Sequence, residues 1–567
     1  MPAYEEPLPG KWRIALILAI AFIAIYSPLQ LGSWELRWQE GRHAAIALEM
    51  DVWHPNTVAH GEQIPYAHPF YPLLVALANR AGLPIELALR LVSIISVALL
   101  TILAWEAGRR AADIRAAAVA AAMMFSSLVV VEKAMDGYPD FTATLFLISA
   151  WLSWFTYGVA RGKWNRAWII SFSFCAMAFH VGGWRSVALF LCPLLFMRRP
   201  MTVWPKLRKP GFIVGLAILA GSILLWVLPR WMAESETPFR AADMFTDDVG
   251  VYFKHLALFP LEIVLRFLPW SILAWPVFCV AYFPLDKNPI FSRFLRTIVI
   301  SIFFLLWVAP FFDAPRSMAA LALPLAVLCG MNYWILARRH GGKIHKVLAV
   351  LSYVCAALAA GGVVFYVLPV NLLEKIPRLG KYLGFHDANF KIGIVQSAAA
   401  FLLALTIARL SVKKRLKVFE HVLGISVVLA LCFWSLHAPY RALKNEKRRL
   451  GQAVAKALKT NLKLPADKPL PKTLVLYEGP GIVGLYAPCV YTGVPIRKIH
   501  SLDALPPDKK TVYMLALRFP VSGNRSWEYI SPKNPKPNDD DPFSYKYKRK
   551  RVRFHLLKGT LFERDAK

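Results

Sequence analysis

Long apolar runs alternate with short basic clusters along most of this chain. Runs such as Ile14–Leu29, Leu91–Trp105, Phe212–Leu228, Thr297–Phe312 and Val347–Leu368 approach or reach the roughly 20 apolar residues a membrane-spanning helix needs. Basic clusters sit at Lys11/Arg13, Arg109/Arg110/Arg115, Arg161/Lys163/Arg166, Arg198–Lys209, Lys287/Arg293/Arg296, Arg338–Lys346 and Arg409–Lys417. Each is separated from the next by two apolar runs, as the positive-inside rule requires if every cluster is cytoplasmic. This pattern predicts about 13 spans with the N-terminus inside and the C-terminus outside. They fall near 13–31, 88–107, 114–131, 141–158, 167–181, 184–197, 211–230, 260–283, 297–312, 318–336, 346–369, 392–408 and 418–436. Residues 68–82 are too short and proline-broken to span, and read as a helix lying near the interface.

Two longer polar regions face outside in this topology. Residues 32–87 form the first loop, and 231–260 form another with Glu234, Glu236, Asp243, Asp247 and Asp248. Beyond the last span the pattern changes. Arg441–Leu450 is a charged helical stretch, and Thr473–Tyr477 and Thr511–Leu517 read as strands with a Gly/Pro turn at Glu478-Gly-Pro-Gly-Ile between them. Residues 530–545 read as a loop and Lys546–Arg553 as a basic strand or tail. The expected fold is thus an α-helical multispan membrane protein with a C-terminal external α/β domain. Its parts are 1–437, including the first loop 32–87, and 438–567.

Composition narrows the function classes. With 57% hydrophobic residues and 13% aromatics, a soluble protein would expose too much apolar surface. The formal net charge of +32 is a membrane-topology signal where it flanks spans; in the external domain it favours anionic headgroups or an anionic acceptor. Six of the seven cysteines fall in apolar spans, leaving Cys489 in the soluble part, so neither a disulfide framework nor a cysteine zinc site follows. The first apolar run has no small-residue cleavage site after it and reads as an uncleaved span. With no P-loop, dinucleotide fingerprint or internal repeat, an ATP-driven pump is disfavoured.

The chemistry concentrates in the first loop, Trp34-Glu-Leu-Arg-Trp-Gln-Glu-Gly-Arg-His-Ala-Ala-Ile-Ala-Leu-Glu-Met50. It holds Glu35, Glu40, Glu49, Asp51, Arg37, Arg42 and the histidines 43, 54, 60 and 68. The histidines have no ligand pair at tight helical spacing and read as hydrogen-bonding loop residues.

The stretch Gln39-Glu40-Gly41-Arg42-His43-Ala44-Ala45-Ile46-Ala47-Leu48-Glu49-Met50 resembles one in the polyprenyl-phosphate-dependent GT-C glycosyltransferases. That family includes the lipid A aminoarabinose transferases and protein O-mannosyltransferases. Its version reads Asp-Glu-x-Arg-Tyr-Ala-Glu-Ile-Ala-Arg-Glu-Met, so Gln39 stands at its leading Asp. Four further stretches match in order. Gly61–Pro69 resembles Gly-x-x-Tyr-Phe-Glu-Lys-Pro, with His68 at the lysine and Ala67 at the glutamate. Tyr138-Pro139-Asp140-Phe141 resembles a Leu-Asp-Pro of the second external loop. Arg185, eight residues before Pro193, stands at a lysine opening a span, and Phe267-Leu-Pro-Trp270 resembles a later Leu-Pro-Trp.

The resemblance implies an inverting glycosyltransferase moving a sugar from a polyprenyl-phosphate donor to a lipid, protein or glycan acceptor. The reaction would run at the external face of a bacterial inner membrane, with no cofactor, metal or nucleic-acid partner. Such a reaction needs a carboxylate to take the acceptor's proton and cations to hold the leaving phosphate. Glu40 and Asp140 are the candidate bases, with Glu35 and Asp136 behind them. Arg42, His68, Arg185 and Arg316 are the candidate phosphate ligands. The rival readings are a polyprenyl-lipid or polymer transporter and a non-catalytic relative that binds the lipid carrier. The odd span count, large external domain and absence of repeat-related broken helices disfavour transport.

Overall fold

The computed structural model describes residues 11–26, 34–64, 67–232, 249–309, 314–369, 371–372, 383–412, 418–437, 445–464, 474–477, 485–494, 496–502, 505, 511–516, 525–531, 541, 543–547 and 550–561. The segment of Glu234, Glu236, Asp243, Asp247 and Asp248, the stretch Glu478–Ile482 read as a turn, and most of 530–545 lie outside the described residues.

The N-terminal helices are α1 (Lys11–Ile25), α2 (Trp38–Glu49), α3 (Phe70–Arg80), α4 (Ile85–Ala111), α5 (Ile114–Ser126), α6 (Leu128–Ala134) and α7 (Asp140–Ser153). Then follow α8 (Trp164–Gly182), α9 (Trp184–Leu195), α10 (Pro210–Met232), α11 (Val249–Arg266), α12 (Ser271–Ala274), α13 (Pro289–Val308), α14 (Ala314–Ser317) and α15 (Ala319–Val367). The last are α16 (Leu383–Val412), α17 (Val418–Cys432), α18 (Glu446–Asn461) and α19 (Tyr486–Val490). Strands β1 (Val58–Ala59) and β2 (Glu62–Gln63) lie in the first loop. The C-terminal strands are β3 (Leu474–Tyr477), β4 (Ile496–Ile499), β5 (Thr511–Ala516), β6 (Arg525–Tyr529), β7 (Ser544–Tyr547), β8 (Lys550–Arg553) and β9 (His555–Leu561). Contacts divide the chain into two units, 1–31 with 90–443 and 32–89 with 444–567.

The first unit is a helical bundle. Among the described residues, seven helices are long and apolar enough to cross a membrane, or eight if the bent pair α5–α6 is one span. The protein is a multipass membrane protein; the expected count of about 13 spans is not confirmed. Three departures from the sequence reading have local causes. The segment read as a span over 114–131 bends by 49° between α5 and α6. There Trp270 Nε1 donates to Ser126 Oγ at 2.8 Å, and the Leu128 amide donates to the Leu268 carbonyl at 3.0 Å.

The segment read as a span over 260–283 ends its helix at Arg266 and continues as α12 and two 3₁₀ turns, Trp275–Phe278 and Val280–Leu285. Pro269, Pro276 and Pro284 remove amide donors and block a continuous helix there. Buried Arg296 organises the irregular chain that results. Its guanidinium donates to the Val277 carbonyl at 2.8 Å, pairs with Asp286 at 2.7 Å, and lies 3.8 Å from the Phe283 ring centroid.

The segments 318–336 and 346–369, read as two spans, are one unbroken helix of 49 residues, α15. The basic segment Arg338–Lys346 between them has no proline, and Lys and Arg are good helix formers. Gly341 and Gly342 stand in open space at its middle. Polarity marked this as a loop, but nothing in it breaks a helix.

The second unit contains a five-stranded mixed sheet in the order β4-β3-β5-β9-β6. Strand β3 runs parallel to β4 and β5, while β9 pairs antiparallel with β5 and β6. Side chains alternate between its two faces, as strand geometry demands. Leu474, Leu476 and Leu515 pack on one side with Leu450, Val454 and Leu458 of α18, a stripe at four-residue spacing. Val475, Val512, Met514 and Leu557 pack on the other side. In the basic segment read as a strand or tail, the described residues form β7 and β8, which pair antiparallel.

The first loop is part of this unit. Glu35 accepts the Lys447 amide at the start of α18 at 2.9 Å, Arg448 pairs with Glu86 at 3.0 Å, and the Leu36 amide donates to Tyr491 Oη at 2.7 Å. Helix α2 lies against α19 so closely that a Cβ on Gly41 would sit 2.6 Å from the Ala487 nitrogen.

The hairpin β1–β2 turns through His60 and Gly61, at φ 59° and 76°, the left-handed pair a two-residue type I′ turn requires. Histidine is strained at that position, and its surroundings hold it. Glu49 accepts the His60 amide at 2.8 Å and lies 3.4 Å from its Nδ1, while the ring stacks on Tyr486 at 5.4 Å. The His60 carbonyl accepts the Lys498 amide at 2.8 Å on the sheet's edge strand, β4. Glu62 then reaches Lys498 at 2.9 Å and His500 at 2.8 Å. Burial by itself lowers an imidazole pKa, but Cys489 and the Glu49 carboxylate outweigh it and raise His60 from 6.5 to about 10.

Gly41→Ala should destabilise the protein by about 1–3 kcal/mol, the range for overpacking, although alanine is the better helix former. A thermal scan showing equal or higher Tm would contradict this close approach. A raised folded-state pKa places His60's stabilisation in full below pH 6.5 and removes it as pH climbs through about 10. Wild-type Tm should therefore drift down over that window. His60→Asn, which suits the turn but carries no titrating ring, should show a flatter profile.

Candidate active site

The first unit brings Asp140, Arg185 and Arg316 into one cleft, together with Thr144, Ser186 and Ser317. Each charged residue stands at or next to a helix start. Asp140 opens α7 directly after Pro139, where the N-terminal end of the helix dipole favours a carboxylate. Arg185 lies in the first turn of α9, after Gly183 at φ 70°, ψ −157°, a conformation open essentially to glycine alone. Preceding Gly182 has no room for a side chain, since a Cβ there would lie 2.5 Å from Ser186 Oγ and 3.0 Å from Ala143 on α7. The glycine pair lets α9 turn back tightly enough to aim Arg185 at α7. Arg316 comes from α14, just ahead of α15.

Asp140 is 4% exposed, and its Oδ1 accepts from Arg185 Nη2 at 2.7 Å. Its Oδ2 lies 3.8 Å from Arg316 Nε and has no hydrogen bond. The Arg316 guanidinium also lies 4.0 Å from the Tyr138 ring centroid, a cation–π contact worth about 0.5–2 kcal/mol. Tyr138 is anchored in turn, its carbonyl accepting Ser93 Oγ at 2.7 Å; nearby, Ser96 and Thr142 hydroxyls meet at 2.9 Å. Two guanidiniums face one carboxylate in a small cleft. The hydroxyls of Thr144, Ser186 and Ser317 add donors beside it. Such an arrangement suits an anion with several oxygens.

A second ionic group lies along the chain just before this cleft. Lys133 contacts Glu132 at 3.0 Å and Asp136 at 4.0 Å, and Arg266 bridges Glu132 at 3.1 Å and Glu262 at 2.7 Å. Asp136 is 2% exposed and faces a lysine, an arrangement that serves charge balance.

The other sequence candidates belong to the second unit. Glu40 is 1% exposed, and its Oε2 accepts the Arg37 amide at 2.8 Å, capping the start of α2. Arg42 lies on α2 with its Nε buried, and His68 lies just before α3 with its Nδ1 buried. Glu35 is committed to Lys447, and burial raises its pKa despite that charge. His43 meets Tyr71 edge-on at 5.4 Å, and exposed His54 pairs with Asp51 at 3.0 Å. Among the described residues no group of three or more His, Cys, Asp or Glu side chains forms a metal cluster. Sequence reasoning missed Tyr138 as the shelf under Arg316, and it missed Ser186 and Ser317. The available signal was the dipeptide Arg-Ser, which stands twice at the start of an apolar run.

No family model and no curated protein sequence matches the chain. Solved structures do. The crystal structure of ArnT from Cupriavidus metallidurans bound to undecaprenyl phosphate is 17% identical, with a TM-score of 0.67 over 97% of this chain and 98% of that one. The apo state of the same protein is 18% identical, with a TM-score of 0.65 over 97% and 98%. The chain therefore has the fold of that protein along nearly its whole length.

Gly183→Ala should cost about 1–3 kcal/mol of backbone strain and lower Tm by several degrees. Gly221→Ala in α10, where nothing lies within 4 Å of the added Cβ, should be neutral or stabilising. Equal Tm for the two variants would mean that the turn into α9 does not depend on the glycine.

Proposed function

We propose that this protein is a membrane glycosyltransferase that moves a sugar from a polyprenyl-phosphate donor to a lipid, protein or glycan acceptor. We further propose that it works at the external face of a bacterial inner membrane, with the N-terminus cytoplasmic and the C-terminal domain periplasmic. The observation that carries the reading is the buried Asp140 between Arg185 and Arg316. It lies in a chain whose fold matches one solved with undecaprenyl phosphate bound.

In this reading Arg185 and Arg316 hold the phosphate, with Ser186 and Ser317 as further donors. The bond between the sugar's C1 and the phosphate oxygen breaks, and its electron pair stays on that oxygen. The acceptor oxygen bonds C1 from the opposite face, and its proton passes to the Asp140 carboxylate. Negative charge on the phosphate grows as the bond breaks, so cations fixed in advance stabilise the transition state more than the ground state. Tyr138 holds one of those cations in place. The first-loop residues Glu40, Arg42 and His68 remain candidates for base and phosphate ligand as the motif implies, although Glu40 already serves as a helix cap.

Purified protein given a polyprenyl-phosphate sugar and a lipid extract as acceptor should release free polyprenyl phosphate. Arg185→Ala should lower kcat by about 10²–10³ and weaken donor binding, with Arg185→Lys partly restoring both. Lipid crossing between leaflets without sugar transfer would instead identify a transporter. Donor binding without transfer or crossing would identify a carrier-binding relative.

A further inference from the structure

Resting on that reading, we infer that Asp140 occupies the arginine pair until the donor arrives, so that the donor's own phosphate frees the catalytic base. The geometry is that of an internal ligand. One carboxylate oxygen takes a 2.7 Å hydrogen bond from Arg185, while the other stands 3.8 Å from Arg316 and makes no hydrogen bond. The hold is firm on one side and loose on the other. A carboxylate and a phosphate offer a guanidinium the same paired-oxygen pattern, so a phosphate entering this cleft competes with Asp140 for the same donors. A sugar phosphodiester carries one negative charge, as the carboxylate does. The exchange therefore leaves the charge around the arginines unchanged and strands Asp140 without a cation at 4% exposure.

An unpaired carboxylate in so dry a place is costly to maintain as an anion. Accepting the acceptor's proton relieves that cost, which makes the stranded carboxylate a base only once the donor is seated. The order of events follows. The donor binds first, its phosphodiester takes Arg185 and Arg316, and Asp140 turns to the acceptor hydroxyl. The acceptor oxygen then bonds C1 as the C1–O bond to phosphate breaks, and the proton moves to Asp140. The phosphate now carries the second charge against the two arginines. When polyprenyl phosphate leaves, Asp140 gives its proton to water and returns to Arg185. An acceptor arriving alone meets a carboxylate still engaged by the arginines, so no base waits in the empty site.

The test uses the full-length protein in nanodiscs with farnesyl phosphate as the probe. If Asp140 is the competing ligand, Asp140→Asn should bind farnesyl phosphate at least about tenfold more tightly than wild type, since a charge-assisted contact no longer has to be broken. Arg185→Ala should bind it weakly. Charge removal alone could strengthen binding, so the wild type is also followed by infrared difference spectroscopy. Adding farnesyl phosphate should shift a carboxylate band that Asp140→Asn lacks. Unchanged or weaker binding by Asp140→Asn overturns the displacement, as does a wild-type spectrum with no carboxylate change. Transfer by wild type alongside either result leaves the functional reading standing and removes only the displacement. A wild type that neither binds farnesyl phosphate nor transfers sugar removes both.

Discussion

A carboxylate buried among apolar helices has to be paired, and that constraint shapes the centre of the first unit. Asp140 at the head of α7 needs a cation, and Arg185 at the head of α9 needs an anion; neither is tolerable alone in a dry environment. Their 2.7 Å contact ties two helix starts to each other, and Arg316 brings the approach to α15 to the same point. The glycine pair before α9 makes the approach sterically possible. Tyr138 gives Arg316 a second surface, so that its guanidinium lies between a carboxylate and a ring. The charges give the cleft its chemistry, and their mutual need determines which helices meet there.

Much of the architecture was legible because membrane spans write themselves in hydrophobic runs. The strands Leu474–Tyr477 and Thr511–Ala516 were legible too, through short β-rich stretches bounded by turn residues. What polarity alone could not decide was continuity. Arg338–Lys346 looks like a loop by charge and is helix in the structure, because charged residues are compatible with helices and only prolines or caps end them. The reverse case is 260–283, where apolar character suggested one helix and the chain is broken around Pro269, Pro276 and Pro284.

The cleft was legible in part. Asp140 and Arg185 were found through motif order, and Arg316 as a charge beside a span. The bond between Asp140 and Arg185 was not readable, since residues 45 positions apart in sequence meet only through helix packing. In the first loop, part of the polar character has a structural explanation. Its density of acid–base groups suggested chemistry throughout. In the structure Glu35, Glu49 and Glu62 hold the loop to α18, to its own hairpin turn and to the edge of the sheet. Buried charge marks importance, and the partner decides whether that importance is structural.

Helix α15 begins two residues beyond Ser317 of the cleft and runs without interruption to Val367. Along the way Tyr333 accepts the Phe419 amide, Ser352 meets His421 at 2.8 Å, and Tyr366 donates to the Ser435 carbonyl. A helix with no break has no place to absorb a change in length. Inserting or deleting one residue anywhere between Met331 and Ser352 would rotate everything beyond it by about 100°, taking Ser352 and Tyr366 off their partners on the following helices. The segment that looks in sequence like a tolerant basic linker is therefore the stretch of this chain where length, more than residue identity, is under constraint.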